Sequence, residues 1–322
     1  MSAVSVQELV HRYGERLALA GVSFDVPHGE IFGLLGPNGS GKTTLFRILS
    51  TLMPVQSGQV TIAGENVAVR PDAVRRAIGV TFQSPSLDGK LTVRENLVHQ
   101  GHLYGLSGRA LNDRIRVVSE QLGVADRAGD YAEHLSGGLK RRVEIAKCLL
   151  HSPAILLLDE PSTGLDPGAR HELWKILESL QREQKVTVLV TTHLMEEAER
   201  CHRIAILDQG KLIAFGRPDE LRDMVGGDSL TVLSDTPDAL AAAIEQRFQL
   251  KPTRMGNALR IERDRGHELL TEIATTFPGE FRSLTLGKPT LEDVFIKLTG
   301  RRLESVEDDD NPRKKKKKKK SH

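Results

Sequence analysis

The chain has 322 residues, 39% hydrophobic and 27% charged, with 45 Lys and Arg against 43 Asp and Glu. That is the composition of a globular protein with ample core, not of a low-complexity or fibrous chain. The longest apolar runs, "AILLL" at 154–158 and "VTVLV" at 186–190, are strand-length and too short to cross a bilayer. The net charge of +2 is set at one end, because ten bases and five acids lie beyond Gly300. The remainder is slightly acidic, so nucleic acid is not an expected partner. "MSAVSVQELVHRYGE" lacks the basic-then-apolar pattern of an export signal. Two cysteines, Cys148 and Cys201, make no disulfide framework; they fit a reducing cytoplasm and read as small buried hydrophobes.

In chain order, Val4–Val10, Leu19–Val26 and Ile31–Leu35 read as strands. The third leads into "GLLGPNGSGKTT", after which "TTLFRILSTL" continues as a helix with Leu45, Ile48, Leu49 and Leu52 on one face. "SGQVTIAG" at 57–64 is another strand. From Val93 to about Leu150 the pattern is helical, broken at "HLYGLSG". Strands return at Ile155–Leu158 and Val186–Val190, with a helix around His171–Gln184 between them. "RIAILDQGKLIAFG" at 203–216 reads as a hairpin turning at Asp208-Gln209-Gly210. Strands alternating with helices, glycine loop first, predict an α/β sheet with parallel core strands and an inserted helical block at about 88–150.

"VGGDS" at 225–229 reads as a linker closing a first domain of residues 1–225. Residues 229–300 then run β-α-β-β-α-β, a split βαβ arrangement that predicts a small α+β, ferredoxin-like domain. Its last helix opens with Thr290 as N-cap and Asp293 at the capping-box position. From 301 to 322 the charged tail is expected to be disordered. Its seven lysines read as a solvated run, with help at an anionic membrane surface as the alternative.

"GPNGSGKT" at 36–43 fits G-x-x-x-x-G-K-[ST] between a strand and a helix. Gly36, Gly39 and Gly41 let the backbone curl so that N–H groups point inward as an anion nest. The helix N-terminus beyond adds positive potential. The loop Gly36, Pro37, Asn38, Gly39, Ser40, Gly41, Lys42, Thr43 and Thr44 is therefore expected to hold the phosphates of ATP. Lys42 reaches the terminal phosphates and the Thr43 hydroxyl ligates Mg²⁺. "AILLLDEPSTGLDP" at 154–167 is an apolar strand ending in two carboxylates. Asp159 suits Mg²⁺, and Glu160 suits a general base for the attacking water.

With "LSGG" at 135–138, these motifs resemble the nucleotide-binding subunit of an ABC transporter over about residues 3–220. "PSTGLDP" is similar to the D-loop with Asp166, "THLMEEAE" at 192–199 to the switch region with His193, and Gln83 in "VTFQSPSLD" to the Q-loop. Tyr13 is similar to the aromatic residue that stacks on adenine. The resemblance implies a P-loop NTPase (RecA-like) core with an antiparallel β subdomain and a helical subdomain. It implies ATP and Mg²⁺ as cofactors, with Thr43, Gln83 and Asp159 at the metal. It implies that Glu160, His193 and Gln83 carry the catalysis.

It also implies a homodimer, or pairing with a homologous subunit, in which each ATP lies between one P-loop and the other subunit's Ser136, Gly137 and Gly138. Taken alone, Ser-Gly-Gly reads as a helix cap. Position 139 is Leu where the family usually has Gln, as in the branch that resembles the daunorubicin/doxorubicin-resistance subunits. That branch implies an ABC-2 type exporter with a separate transmembrane permease. A cytoplasmic helix of that permease would enter a groove near Leu87–Leu106, and this chain would sit in the cytoplasm, peripheral on the membrane. The alternatives are a soluble ABC ATPase acting on ribosomes or DNA, and a nucleotide-dependent regulator.

Overall fold

The computed structural model describes residues 2–225, 227–263, 265–301 and 303. The expected tail beyond these lies outside the described residues, as does Gly226 of the expected linker. Among the described residues no helix is long and apolar enough to cross a membrane.

The chain opens with two long strands, β1 (Ser2–Tyr13) and β2 (Arg16–Pro27), paired antiparallel. Val4, Val6 and, past an irregularity in the pairing, Leu9 join Leu19, Val22, Phe24 and Val26 in the core. Both strands outrun the apolar stretch because backbone pairing continues to Tyr13↔Arg16 and Ser2↔Pro27. After β3 (Ile31–Leu35) and α1 (Lys42–Leu49), strands β4 (Ser57–Ile62) and β5 (Glu65–Asn66) complete a four-stranded sheet in the order β2-β1-β4-β5. Helix α1 is shorter than its apolar spacing predicts. Ser50 N donates back to Phe46 O, and Thr51 turns left-handed at φ 62°, so Leu52 leaves the apolar face and is exposed.

Helix α2 (Pro71–Ala77) leads into β6 (Ile78–Thr81), an element absent from the sequence reading. Only four residues long and interrupted by Gly79, β6 carries too weak a period to stand out. The glycine is required by close packing, since a Cβ there would lie 2.8 Å from Cys148 O. The helical block holds α3 (Val93–Leu103), α4 (Gly108–Gln121) and α5 (Gly137–Leu149), with a Thr92–Glu95 capping box starting α3. The chain continues through β7 (Ile155–Asp159), α6 (Pro167–Gln184), β8 (Thr187–Thr192), α7 (Met195–Ala198), β9 (Arg203–Asp208) and β10 (Lys211–Gly216).

The second sheet has the order β10-β9-β3-β8-β7-β6, parallel except at β10. Strands β3, β7 and β8 are buried at every position, which explains why they read as unbroken apolar runs and not as alternation. The hairpin turn has Gln209 and Gly210 both left-handed, at φ 48° and 77°, the geometry of a two-residue connection. Both cysteines are buried and unpaired. Burial pushes the Cys148 thiol up to about 11 and Cys201 higher still, so neither is nucleophilic at neutral pH.

The division between two compact units falls before Pro218. The second unit starts with α8 (Pro218–Asp223) and continues through β11 (Asp228–Leu233), α9 (Pro237–Phe248), β12 (Thr253–Met255), β13 (Ala258–Arg263), α10 (Gly266–Thr276), β14 (Ser283–Gly287) and α11 (Leu291–Thr299). Its sheet is antiparallel throughout, in the order β12-β13-β11-β14. Leu230, Val232, Ile244, Leu259, Leu269 and Ile273 fill the space between sheet and helices. Thr290 and Asp293 form the capping box of α11, and the buried Asp293 carboxylate also accepts a bond from Arg260. Removing that carboxylate strands a largely buried guanidinium. We expect Asp293→Ala to cost about 3–5 kcal/mol, read as a lower urea midpoint, and Asp293→Asn to cost less because it retains a cap acceptor.

Candidate active site

Five of the segments of interest in the first unit lie at the carboxyl ends of parallel strands, the edge at which open α/β sheets bind ligands. The glycine loop follows β3, Gln83 follows β6, Asp159 and Glu160 close β7, His193 follows β8, and the Asp208–Gly210 turn follows β9. The turn and the glycine loop hold each other: Gly210 N donates to Ser40 O at 2.9 Å, and Ala20 N donates to Gly210 O at 2.8 Å. A Cβ at Gly36 would sit 2.3 Å from Leu207 O. At Gly41, where φ is +107°, it would sit 2.7 Å from Ala18 O. The loop is therefore shaped by what surrounds it as well as by its own glycines.

Beside this loop lies a cavity of about 380 Å³. It brings together Tyr13, Pro37, Asn38, Gly39, Gly41, Lys42, Thr43, Thr44 and Glu160 of the expected site. The Lys42 ammonium is buried and donates to the carbonyls of Gly36 and Pro37 (3.0 Å), folded back over the nest. Tyr13 is 46% exposed. Its hydroxyl lies 3.4 Å from Thr44 Oγ1 and donates to Met53 Sδ at 3.3 Å, fixing the ring at the cavity wall. Arg16, Leu17, Ala18 and Gln209 also line the cavity. Sequence reading missed them, because strand-start and turn residues carry no motif; only the pairing of β1 with β2 and the hairpin turn bring them in.

The two carboxylates differ in surroundings. Burial pushes the Asp159 carboxyl above its ordinary range, although the Thr191 hydroxyl donates to it at 2.6 Å. The β7–β8 register sets this contact by pairing Asp159 with Thr191. Glu160 is held below the usual carboxylate range, chiefly by hydrogen bonding with His193 and against its own burial. The His193 Nδ1 to Glu160 Oε1 distance is 3.4 Å. Gln83 Nε2 donates to Glu160 Oε2 at 3.2 Å, and Thr163 Oγ1 to the same oxygen at 3.1 Å. Glu160 N donates to Thr191 Oγ1 at 2.9 Å, and its backbone is left-handed at φ 44°, a conformation that costs a non-glycine residue of order 1 kcal/mol. Glu160, which lines the cavity, thus draws together His193, Gln83 and Thr163, which do not line it; Asp159 is likewise outside its lining. Glu160 remains ionised at neutral pH.

Ser136 caps α5 by accepting from Leu139 N at 3.3 Å. Gly138 is required by close approach, since a Cβ there would lie 2.8 Å from Ala169 Cβ on α6. Asp166 caps α6, accepting from Ala169 N at 3.0 Å. Ser136, Gly137, Gly138 and Asp166 are not among the residues lining the glycine-loop cavity. Gly137 instead lines a separate cavity of about 360 Å³ with Gln83, Leu87, Gly89 and Thr163.

A glycine nest at a helix N-terminus, with a buried lysine over it and paired carboxylates at the end of a nearby strand of a parallel sheet, defines a P-loop nucleotide-binding protein. The particular family follows from the comparisons. The ABC transporter family pattern matches residues 19–163. The daunorubicin resistance ATP-binding protein DrrA2 of Streptomyces coeruleorubidus is 38% identical, covering 95% of this chain and 97% of that protein. The Nod factor export ATP-binding protein I of Rhizobium sp. (strain N33) is 37% identical, covering 94% and 98%. The linearmycin resistance ATP-binding protein LnrL of Bacillus subtilis is 36% identical, covering 93% and 99%.

Among solved structures, cbiO1 of Clostridium perfringens, part of the ABC transporter complex cbiONQ, superposes with a TM-score of 0.65 at 26% identity over 77% of this chain and 96% of that one. The ATP-binding cassette MJ0796, in a dimeric post-hydrolysis state bound to ADP and Pi, gives 0.60 at 29% identity over 66% and 98%. The chain belongs to the ABC transporter family, as an ATP-binding subunit that hydrolyses ATP. We expect Gly41→Ala to weaken nucleotide binding at least tenfold, since the added methyl meets backbone and not a flexible side chain. Equilibrium titration with a fluorescent ATP analogue measures this, with circular dichroism as the check on folding.

Proposed function

We propose that the chain powers an exporter, with each ATP held between the glycine loop of one subunit and the Ser136–Gly138 cap of a second copy or a homologous mate. The observation that carries this reading is the placement of Glu160 in the same cavity as Lys42, while none of Ser136, Gly137 and Gly138 lines that cavity. A second subunit related by a twofold axis would supply the missing wall reciprocally. The free N–H groups at the start of α5 suit a terminal phosphate. The relatives' names point to export rather than to a soluble ribosomal or DNA-acting ATPase.

Within this reading, Tyr13 stacks on the base, and the nest with Lys42 fixes the β- and γ-phosphates. Ionised Glu160 accepts a proton from the attacking water, which Gln83 helps to place. His193 contacts the γ-phosphate and, by its bond to Glu160, keeps that carboxylate oriented. Asp166, at the start of α6, faces the second subunit. The donors near the phosphates, the Thr43 hydroxyl, the Gln83 amide oxygen and the Asp159 carboxylate, are all hard oxygens, the set Mg²⁺ takes. Gln83 uses its amide nitrogen on Glu160, which leaves the oxygen for the metal. When bound, Mg²⁺ would neutralise charge on the phosphate oxygens.

The second unit, with its β-α-β-β-α-β order, is of ferredoxin-like type and accessory to the ATPase. A separate ABC-2 type permease is the membrane partner, which places the chain peripherally on the cytoplasmic face. A groove near Leu87–Leu106 is the seat for a cytoplasmic helix of that permease. Glu160→Gln should bind ATP with unchanged affinity, lower kcat about 10²–10⁴-fold, and remain dimeric in ATP by light scattering. Hydrolysis at the normal rate would remove Glu160 from the base role. In a mixed dimer, Ser136→Ala in one subunit should impair only the site whose glycine loop belongs to the other, as scored by site-specific nucleotide trapping.

A further inference from the structure

Helix α5 does more than begin with Ser136. Arg141, five residues on and about 7 Å along the axis, is buried and spends its guanidinium on loops of the catalytic edge. Its Nε donates to Pro161 O at 2.9 Å, and its Nη1 donates to Phe82 O at 2.8 Å. Its Nη2 lies 3.4 Å from Glu160 O. Those carbonyls belong to Glu160, to the residue after it, and to the residue before Gln83. The charge is balanced by Glu144, one turn further along α5 and equally buried, whose Oε2 accepts from Nη1 at 2.9 Å. The other oxygen of Glu144 accepts from Ser86 N at 2.6 Å, and Lys147 Nζ donates to Ser86 O at 2.7 Å. The Gln83 loop is therefore held by α5 at residues 82 and 86, and the turn after β7 is held at 160 and 161.

We infer that Arg141 and Glu144 form a positioning pair that fixes Gln83 and Glu160 to the helix carrying Ser136, so that seating of α5 on nucleotide in one site sets the hydrolytic geometry of the other site in the same subunit. A planar fork with several donors suits this work, because it grips two loops from one rigid helix at once. A lysine would reach one acceptor. The inference rests on the reading of Glu160 as base and Ser136 as the partner's phosphate cap. It adds that the link between them is this buried fork.

A purely structural pair would affect stability and nucleotide binding together. A positioning pair leaves the glycine loop intact and slows the chemical step. Removing one partner strands a buried charge, so the informative variant is Arg141→Met with Glu144→Met, which removes both charges at once. It also releases the carbonyls of Phe82, Glu160 and Pro161 and the Ser86 amide from α5, the loss of positioning under test. In the full-length protein we expect its ATP affinity and KM to stay within about twofold. We expect kcat to fall about tenfold to a hundredfold, the scale on which small misplacement of catalytic groups acts. Arg141→Lys should restore part of kcat.

A double variant with normal kcat and normal ATP affinity overturns the inference. So does an equal loss of kcat and affinity. If the double variant fails to fold, Arg141→Lys decides: normal turnover in it is likewise fatal to the idea. Glu160→Gln, measured in parallel, separates the failures. Normal hydrolysis there would sink the reading of the site itself, whereas its loss beside an unaffected Arg141→Met/Glu144→Met protein would sink only the positioning pair.

Discussion

The parallel pairing of β7 with β8 is the constraint on which the site depends. Its register sets Asp159 against Thr191. From that one alignment follow the hydroxyl on the Asp159 carboxylate, the bond from Glu160 N to the same hydroxyl, and the arrival of His193 beside Glu160. A shift of one residue would turn every one of these side chains to the opposite face. The complete burial of both strands resists such a shift, because each residue of β7 and β8 would have to leave a packed position.

Around that register the two acids settle into different states. Asp159 is pushed toward its neutral form by burial, which an approaching cation would reverse. Glu160 is kept ionised by His193. Adjacent carboxylates thus sit in unequal environments, which is compatible with the separate roles proposed for them. The left-handed backbone at Glu160 serves the same division by turning the second carboxylate away from the strand and toward Gln83 and Thr163.

Much of this was legible from the residues. The glycine loop, the acid-ended strand and the hairpin turn at Asp208-Gln209-Gly210 each have a local physical signal: a nest, an apolar run, a pair of residues tolerant of positive φ. The parallel core read correctly because its strands are continuous and apolar. β6 escaped because four residues with an interior glycine hold too little period. Leu52 was misread because helical spacing continues past the point where Ser50 and Thr51 close the helix. Arg141 stands in "LKRRVEIAK" with no local signal that sets it apart; nothing in its neighbours reveals that it is buried among carbonyls remote in sequence.

By itself, then, the sequence determined elements whose cause is local: the long apolar strands, the glycine loop between a strand and a helix, the cap of the last helix, and the family the motifs resemble. The tertiary structure alone decided what depends on distant segments meeting. It placed Arg16 and Gln209 in the glycine-loop cavity, gave Asp159 and Glu160 opposite shifts, and turned Arg141 into a clasp between two loops. The reason is physical. Backbone preference and amphipathic period act over a few residues, whereas burial, desolvation and the partners of a buried charge are set by chain segments tens to more than a hundred residues away.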